Sequence, residues 1–207
     1  MSIEILPNYT ITKAYDADFI VGSLLVPESR KIASLLLDNV AEETWHQAIT
    51  VNNILQKKSL VMARQQARLI RNRLSLMTPE FWYFIKEGNY ELVSQSLFAA
   101  SIKHNHLIGD FLLRVVKTHL QLFDNKLSTN DWNKFLVECE QIDPKISQWT
   151  DNTRSKLASM LFRTLAEAKY VDNVRSKIII PVYLNTDLYK YLAYNGELYI
   201  LSCMEIY

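Results

Sequence analysis

Six cationic side chains are concentrated between residues 57 and 73, and their types and spacing suit the binding of a polyanion. No Asp or Glu occurs between Thr44 and Pro79. Arginine can hold phosphate oxygens through two parallel hydrogen bonds, so Arg-rich stretches without local acids favour a phosphate backbone as partner. The alternative is a solvated face whose carboxylate partners come from elsewhere in the chain, and composition does not decide between the two. The six residues are Lys57, Lys58, Arg64, Arg68, Arg71 and Arg73.

The elements that must position these cations are helices. Residues 57–77 have the three- and four-residue apolar spacing of a helix packed on a core, with Ser59 as its predicted N-cap. On this predicted basic helix, Arg64, Arg68 and Arg71 follow at i, i+4 and i+7 and form a second stripe beside the apolar one. The predicted core stripe is Leu60, Ala63, Ala67, Ile70, Leu74 and Met77.

A second group of cations lies between residues 154 and 177. Two helices, a long third helix over 154–169 and a predicted strand over 177–184 follow the order of a winged helix, with 198–201 as a partner strand. The alternative is an α+β cap on a helical bundle, and both interpretations stay open. Candidate DNA-binding residues in this group are Arg154, Lys156, Arg163, Arg175 and Lys177.

Helical periodicity dominates the remainder, which predicts a mainly α fold. Residues 1–20 resemble an extended or irregular arm, and the helices that follow form a bundle. The polar joint Asp124-Asn125-Lys126 is the predicted boundary between two parts. Residues 1–125 form the helical bundle that carries the basic helix, and residues 126–207 form a small α+β part that is winged-helix-like.

Patterns that support catalysis are sparse. His104, His106 and His119 do not have the spacing of a zinc motif, so we expect histidines that face solvent or cap helices. Neither a Gly-rich phosphate loop nor a nucleophile elbow occurs in the sequence. We therefore expect no enzyme activity, no metal site and no cofactor. Cys139 and Cys203 follow no disulfide or metal pattern, which predicts a reduced thiol pair.

Composition is that of an ordinary folded protein. The chain has 207 residues, 49% hydrophobic and 22% charged, with a formal net charge of +1. This length suits one or two domains with a substantial core. The apolar run from Phe19 to Val26 is too short to span a bilayer, and no signal peptide precedes it. We expect a cytoplasmic chain without a membrane partner.

Taken together, these stretches resemble the BrxA family of BREX bacteriophage-defence systems, from about Gly22 to Met204. None of the matching pieces is a catalytic signature, and the specificity of the resemblance comes from their joint order. Lys169 departs from the pattern, because a glycine is expected before the aromatic residue there. The pieces are Gly22-Ser23 with Pro27-Glu28-Ser29-Arg30, Leu55-Gln56-Lys57-Lys58-Ser59 with the arginine stripe, Leu97 to His104, Asp110-Phe111-Leu112, Asp131-Trp132 with Phe135-Leu136, and Ala166-Glu167-Ala168 with Tyr170.

The resemblance implies a small, helical, non-catalytic accessory component of a defence locus, with partial similarity to NusB-like bundles. Its expected partners are double-stranded DNA and other BREX subunits. Sequence preference should be weak, because no set of Asn or Gln with Arg suited to base edges is apparent. Two alternatives stay open. One is a protein-interaction adaptor that docks its basic stripe on an acidic surface of another subunit, and the other is NusB-like RNA binding.

Overall fold

The computed structural model describes residues 15–205, and helices account for most of that range. Most of the predicted N-terminal arm, residues 1–14, lies outside the described residues, while Asp18–Val21 forms a 3-10 turn. Two π-helical turns, Gln47–Val51 and Leu112–Val116, continue α2 and join α6 to α7. The α-helices are α1 (Val26–Leu37), α2 (Glu42–His46), α3 (Leu60–Leu74), α4 (Pro79–Glu87), α5 (Tyr90–His104), α6 (His106–Phe111), α7 (Lys117–Gln121), α8 (Thr129–Ile142), α9 (Asp151–Glu167), α10 (Thr186–Tyr194) and α11 (Leu198–Met204).

Side-chain caps fix the start of the helices that carry the cations. The Ser59 hydroxyl accepts a hydrogen bond from the amide of Met62 at 3.4 Å, which confirms the predicted N-cap of α3. Ser128 and Asp131 form a reciprocal capping box at α8, and Thr150 caps α9. These caps satisfy amide groups that the first helical turn leaves without partners.

Helix α5 is the centre of the bundle. Every residue from Val93 to Ile102 is buried, which is the behaviour of a helix surrounded by other elements on all sides. Helices α1, α3, α4, α10 and α11 all pack against it. The basic helix α3 therefore has one side against the core, and its opposite side is left for solvent or a partner.

The hydrophobic core is continuous from Tyr15 to Met204 within the described chain. The buried carboxylate of Asp110 ties distant parts together, since it accepts the Tyr15 hydroxyl at 2.6 Å and the Tyr199 hydroxyl at 2.8 Å. Charge-assisted hydrogen bonds of this kind satisfy a carboxylate that burial would otherwise disfavour. The domain boundary after residue 125 stays a prediction.

The predicted pair of strands near the C-terminus is wrong. Residues 198–201 belong to α11, which buries Ile200, Leu201, Cys203 and Met204. Short apolar runs of this kind fit either a strand or a buried helix, and packing against the bundle decides for the helix. Residues 177–184 do not form a strand either, because among residues 15–205 they make only isolated antiparallel bridges, at Ile178 and Ile179. The described C-terminal part is thus helical rather than α+β.

Candidate nucleic-acid interface

Helix α3 has the two-sided character that its sequence predicts. Ala63, Ala67, Ile70 and Leu74 are buried, and Met77 is buried just beyond the helix end. Leu60, predicted in the same stripe, is instead 45% exposed, because the first turn of α3 extends past the packed body of the bundle. Arg64 and Arg68 lie on the exposed side.

Arg64 and Arg68 are the central pair of this surface. They are one helical turn apart, both are exposed, and neither forms an ion pair within residues 15–205. Both line a groove of about 460 Å³ between α2 with its π-helical extension and α3. Lys58, just before the N-cap, is also exposed, and the described residues offer it no carboxylate within ion-pair distance. Of the six cations between residues 57 and 73, these three remain available to an anionic partner.

Arg71 lies in the same groove, but its charge is partly neutralised. Its guanidinium carbon is 4.4 Å from the centroid of the Trp45 ring, a cation–π contact. Its Nη1 atom is 3.1 Å from Glu42 Oε2. Both partners come from α2, so Arg71 links α2 to α3.

Lys57 and Arg73, the remaining cations of the stretch, have roles within the fold. Lys57 Nζ is 2.5 Å from Glu28 Oε1 on α1. Arg73 is only 3% exposed, and its guanidinium donates to the carbonyls of Ser23 at 2.6 Å and Gly22 at 3.2 Å. Burial lowers the pKa of Arg73 to about 10, against the charges of nearby carboxylates. The predicted DNA-binding residue Arg73 thus lies in the interior and holds the chain segment before α1.

The C-terminal cations do not form one row. Arg154 donates to the carbonyls of Ile146 and Trp149 and pairs with Glu140 at 2.5 Å, so it holds the turn between α8 and α9. Lys156 and Arg175 are exposed. Arg163 and Lys177 are brought together, because both line one cavity beside α9.

Comparison with known proteins decides the family. The family model described as BrxA matches residues 13–196. A protein of Paramagnetospirillum magneticum named BREX protein BrxA is 39% identical over 93% of this chain and 96% of that protein. The chain belongs to the BrxA family of BREX defence systems. A further BREX protein BrxA, from Escherichia coli O9:H4, is 35% identical over 93% of this chain and 91% of that protein.

The BrxA assignment agrees with the fold. The crystal structure of an uncharacterized protein from Magnetospirillum magneticum superposes with a TM-score of 0.88 at 37% identity. The match covers 94% of this chain and all of that chain, 100%. The family resemblance predicted from the sequence is therefore confirmed. Within residues 15–205, no helix combines the length and apolar character that crossing a bilayer requires.

The three clustered histidines of this BrxA family member, His104, His106 and His119, are partly buried rather than solvent-facing. His104 at the end of α5 pairs with Asp18, and the His106 ring stacks on Tyr199 with centroids 4.9 Å apart. His119 lies 3.2 Å from Asp124. Among the described residues, no group of three or more His, Cys, Asp or Glu is placed to hold a metal ion.

Exposed apolar residues beside the arginines were not anticipated from the sequence. Leu60, Val61 and Met62 in the first turn of α3 are 45%, 57% and 40% exposed, and Val51 at the end of the preceding π-helical turn is 68% exposed. Leu60, Val61 and Met62 are consecutive in the chain, and exposed apolar side chains that lie together are typical of interaction sites. The sequence signal was present as three consecutive apolar residues, of which a single helical face can bury only part.

Proposed function

We propose that this BrxA protein is a non-catalytic component of its defence system that binds the phosphate backbone of double-stranded DNA. The observation that carries the proposal is the pair Arg64 and Arg68, which are exposed, one turn apart and without an ion pair within residues 15–205. Like charges at i and i+4 destabilise a helix unless an anion lies against them. A phosphate backbone supplies such anions.

The spacing of the cations fits successive phosphates. Four residues of α-helix advance about 6 Å along the axis, so Arg64 and Arg68 can each reach a different phosphate group. Lys58 precedes the N-terminus of the fifteen-residue helix α3, where backbone amides also favour negative charge. Phosphate contacts without base contacts give weak sequence preference.

The proposal includes no chemical step. The groove is lined by Trp45, His46 and Thr50 together with the arginines, and Glu42 is the one carboxylate among its lining residues. That carboxylate is paired with Arg71. A single carboxylate that is already paired with an arginine does not make the acid–base pair or the ligand set that catalysis would need.

Titration of a labelled duplex at two salt concentrations tests the proposal. Two to three phosphate contacts predict a log–log salt slope of about −2 to −3, at roughly −0.9 per contact. Salt-independent binding, or none at low salt, would contradict it. Competition of the duplex with single-stranded RNA tests the NusB-like alternative, and stronger competition by RNA than by unlabelled duplex would favour RNA binding.

A second candidate function, a protein-interaction adaptor, is supported by the exposed apolar residues. We define the apolar patch as Leu60, Val61 and Met62. Protein interfaces have an apolar centre that excludes water, whereas phosphate-binding faces remain polar. An apolar patch beside Lys58 and Arg64 suits a partner surface that has apolar residues with acidic residues around them. The basic stripe alone would not require apolar residues on the partner.

A pull-down from cells that carry the whole defence locus separates the two functions. An adaptor retains its partner subunits after nuclease treatment, because the contact is between proteins. A protein that meets other subunits only through DNA loses them when the DNA is digested. Quantifying the co-purified subunits with and without nuclease therefore assigns the surface.

A further inference from the structure

A cavity of about 500 Å³ lies between α9, the start of α8 and the loop 172–177. We call this cavity the α9 pocket. Two cations, Arg163 and Lys177, and the hydroxyl-bearing residues Thr129, Ser155 and Ser159 line it, together with an apolar wall. None of its lining residues is Asp or Glu, and none belongs to α3. The α9 pocket therefore has the chemistry of an anion site separate from the groove beside α3.

Lys177 is held in place by its own backbone. Its φ of +54° is left-handed, a conformation that non-glycine residues adopt at a cost and that is often retained at functional sites. The amide of Lys177 donates to the Asn173 carbonyl, and its carbonyl accepts from the amide of Leu127, both at 3.0 Å. Its Nζ atom is 5.1 Å from the Phe162 ring centroid. The Nζ atom also donates to the Arg175 carbonyl at 3.5 Å, so two weak contacts place the ammonium group at the cavity.

Arg163 contributes a guanidinium with free donors. Its side chain is 64% exposed, and its ion pair with Glu167 is long, at 3.7 Å from Nε to Oε1. The Glu167 carboxylate already accepts the Ser23 hydroxyl at 2.8 Å and the Leu24 amide at 3.0 Å. The terminal nitrogens of Arg163 donate no hydrogen bond within residues 15–205. They can bind a phosphate group in the two-pronged geometry that guanidinium favours.

The rest of the lining adds hydroxyl donors and an apolar wall. The hydroxyls of Thr129 and Ser155 form no hydrogen bond with other described residues, although both residues face the cavity. Met160 and Val174 form the apolar part of the lining. Phe162, which is 3% exposed, closes the inner end of the cavity. Pockets of about 300–1,000 Å³ that combine an apolar wall with a few polar groups are typical of small-molecule sites.

We propose that the α9 pocket binds a nucleoside phosphate, with the phosphate between Arg163 and Lys177 and the base against Met160 and Val174. A phosphate ester with a planar aromatic ring, whose faces can pack on apolar side chains, matches both halves of the lining. The inference goes beyond DNA binding and does not depend on it, because α3 supplies no residue to the pocket.

Calorimetric titration of the full chain with AMP, inorganic phosphate and adenosine tests the proposal. AMP should bind one-to-one with a Kd below about 1 mM, and phosphate and adenosine each at least about tenfold more weakly. Arg163→Gln should weaken AMP binding at least about tenfold, by loss of the charged hydrogen bonds. Arg175→Gln, an exposed cation of the same loop that does not line the pocket, should leave it unchanged.

A second variant keeps the test independent of charge. Ser159→Leu places a larger side chain on the wall of the cavity, at an exposed helix position, and should abolish AMP binding without loss of the folded state. Absence of AMP binding, or AMP binding unchanged in Arg163→Gln, would overturn the inference. Equal affinity for inorganic phosphate would reduce the site to a bare anion site and also overturn it. Displacement of labelled duplex by AMP would also overturn the inference, because the pocket would then be part of the DNA-binding surface.

Discussion

Arg71 stacks on Trp45, with its guanidinium carbon 4.4 Å from the ring centroid. The same guanidinium donates to Glu42, so one arginine of the predicted stripe is occupied by two residues of α2. The ion pair is exposed, with 40% of the Arg71 side chain and 69% of the Glu42 side chain accessible, and such pairs contribute little to stability. We expect the Arg71–Glu42 pair to affect DNA binding more than stability, because Glu42 places a negative charge in the groove that we propose for phosphate.

Removal of that carboxylate should strengthen DNA binding. In Glu42→Gln, Arg71 keeps its stacking on Trp45 and gains the freedom to contact a phosphate. We expect tighter duplex binding and a salt slope steeper by up to about 0.9, the value of one added contact. Titration of labelled duplex at several salt concentrations measures both quantities.

The matched control for this change is Glu43→Gln. Glu43 is the next residue of α2, is exposed and forms no ion pair within residues 15–205. Glu43→Gln removes the same charge without releasing an arginine, so the salt slope of this variant should equal that of the wild type. Equal slopes for the two variants would show that Arg71 does not contact DNA.

The exposed arginine pair should account for much of the affinity. Arg64→Ala with Arg68→Ala should flatten the salt slope by up to about 1.8, at 0.9 per lost contact, and weaken binding in proportion. Lys134→Ala with Lys156→Ala removes the same charge from exposed positions on α8 and α9 and is the control. Neither pair is buried, so both variants should remain folded. A stronger loss in the control pair would locate the DNA surface at the C-terminal cations.

The apolar patch gives the adaptor hypothesis its own prediction. Val61→Ser should reduce the recovery of partner subunits from nuclease-treated lysate and leave duplex binding unchanged. Val137→Ser is a close control, because Val137 on α8 is 56% exposed and Val61 on α3 is 57% exposed. Quantified co-purification of the defence subunits measures the effect. Equal recovery with both variants would remove the patch from the interface.

Local sequence patterns predict the start and the buried side of α3 correctly, but they do not predict which of its cations have carboxylate partners. The caps and the apolar stripe depend on neighbours within a few residues, and the sequence shows those directly. The carboxylates that pair with Lys57 and Arg71 are each 29 residues away in the chain. An acid-free stretch therefore does not mean an acid-free surface, and the alternative of remote carboxylate partners holds for part of the stripe.

Tertiary packing explains the other differences. Arg73 follows Arg71 by two residues and therefore points to the opposite side of α3. There its guanidinium donates hydrogen bonds to the carbonyls of residues 22 and 23. Leu60 continues the apolar spacing one step beyond the point at which the core ends. The burial of Arg73 and the exposure of Leu60 both depend on the neighbouring helices. Periodicity gives the direction of a side chain, but it does not show which groups surround that side chain in the fold.

The buried position of Arg73 predicts a loss of stability when it is replaced. Arg73→Met keeps much of the side-chain volume but leaves the carbonyls of Gly22 and Ser23 without their donor. We expect a free energy of unfolding lower by about 2 kcal/mol, the typical cost of buried polar groups left unpaired. Chemical denaturation measures it, and Arg68→Met on the exposed side of α3 is the control, with a change within about 0.5 kcal/mol. Equal stability of the two variants would contradict the structural role of Arg73.

Asp18 predicts how stability depends on pH. Burial opposes its ionisation, yet hydrogen bonds from His104 and Asn105 and the charge of Arg73 hold its pKa below the usual 3.8. Because the folded-state pKa is the lower one, the ionised carboxylate stabilises the fold above pH 3.8, and this contribution is lost as the pH falls through the folded-state value. Asp18→Asn should therefore be less stable than the wild type at neutral pH and approach it below pH 3.8. Chemical denaturation across that range measures the difference.

Asp38→Asn, at an exposed position without an ion pair in the described chain, should parallel the wild type throughout. A constant gap between Asp18→Asn and the wild type down to strongly acidic pH would contradict the assignment.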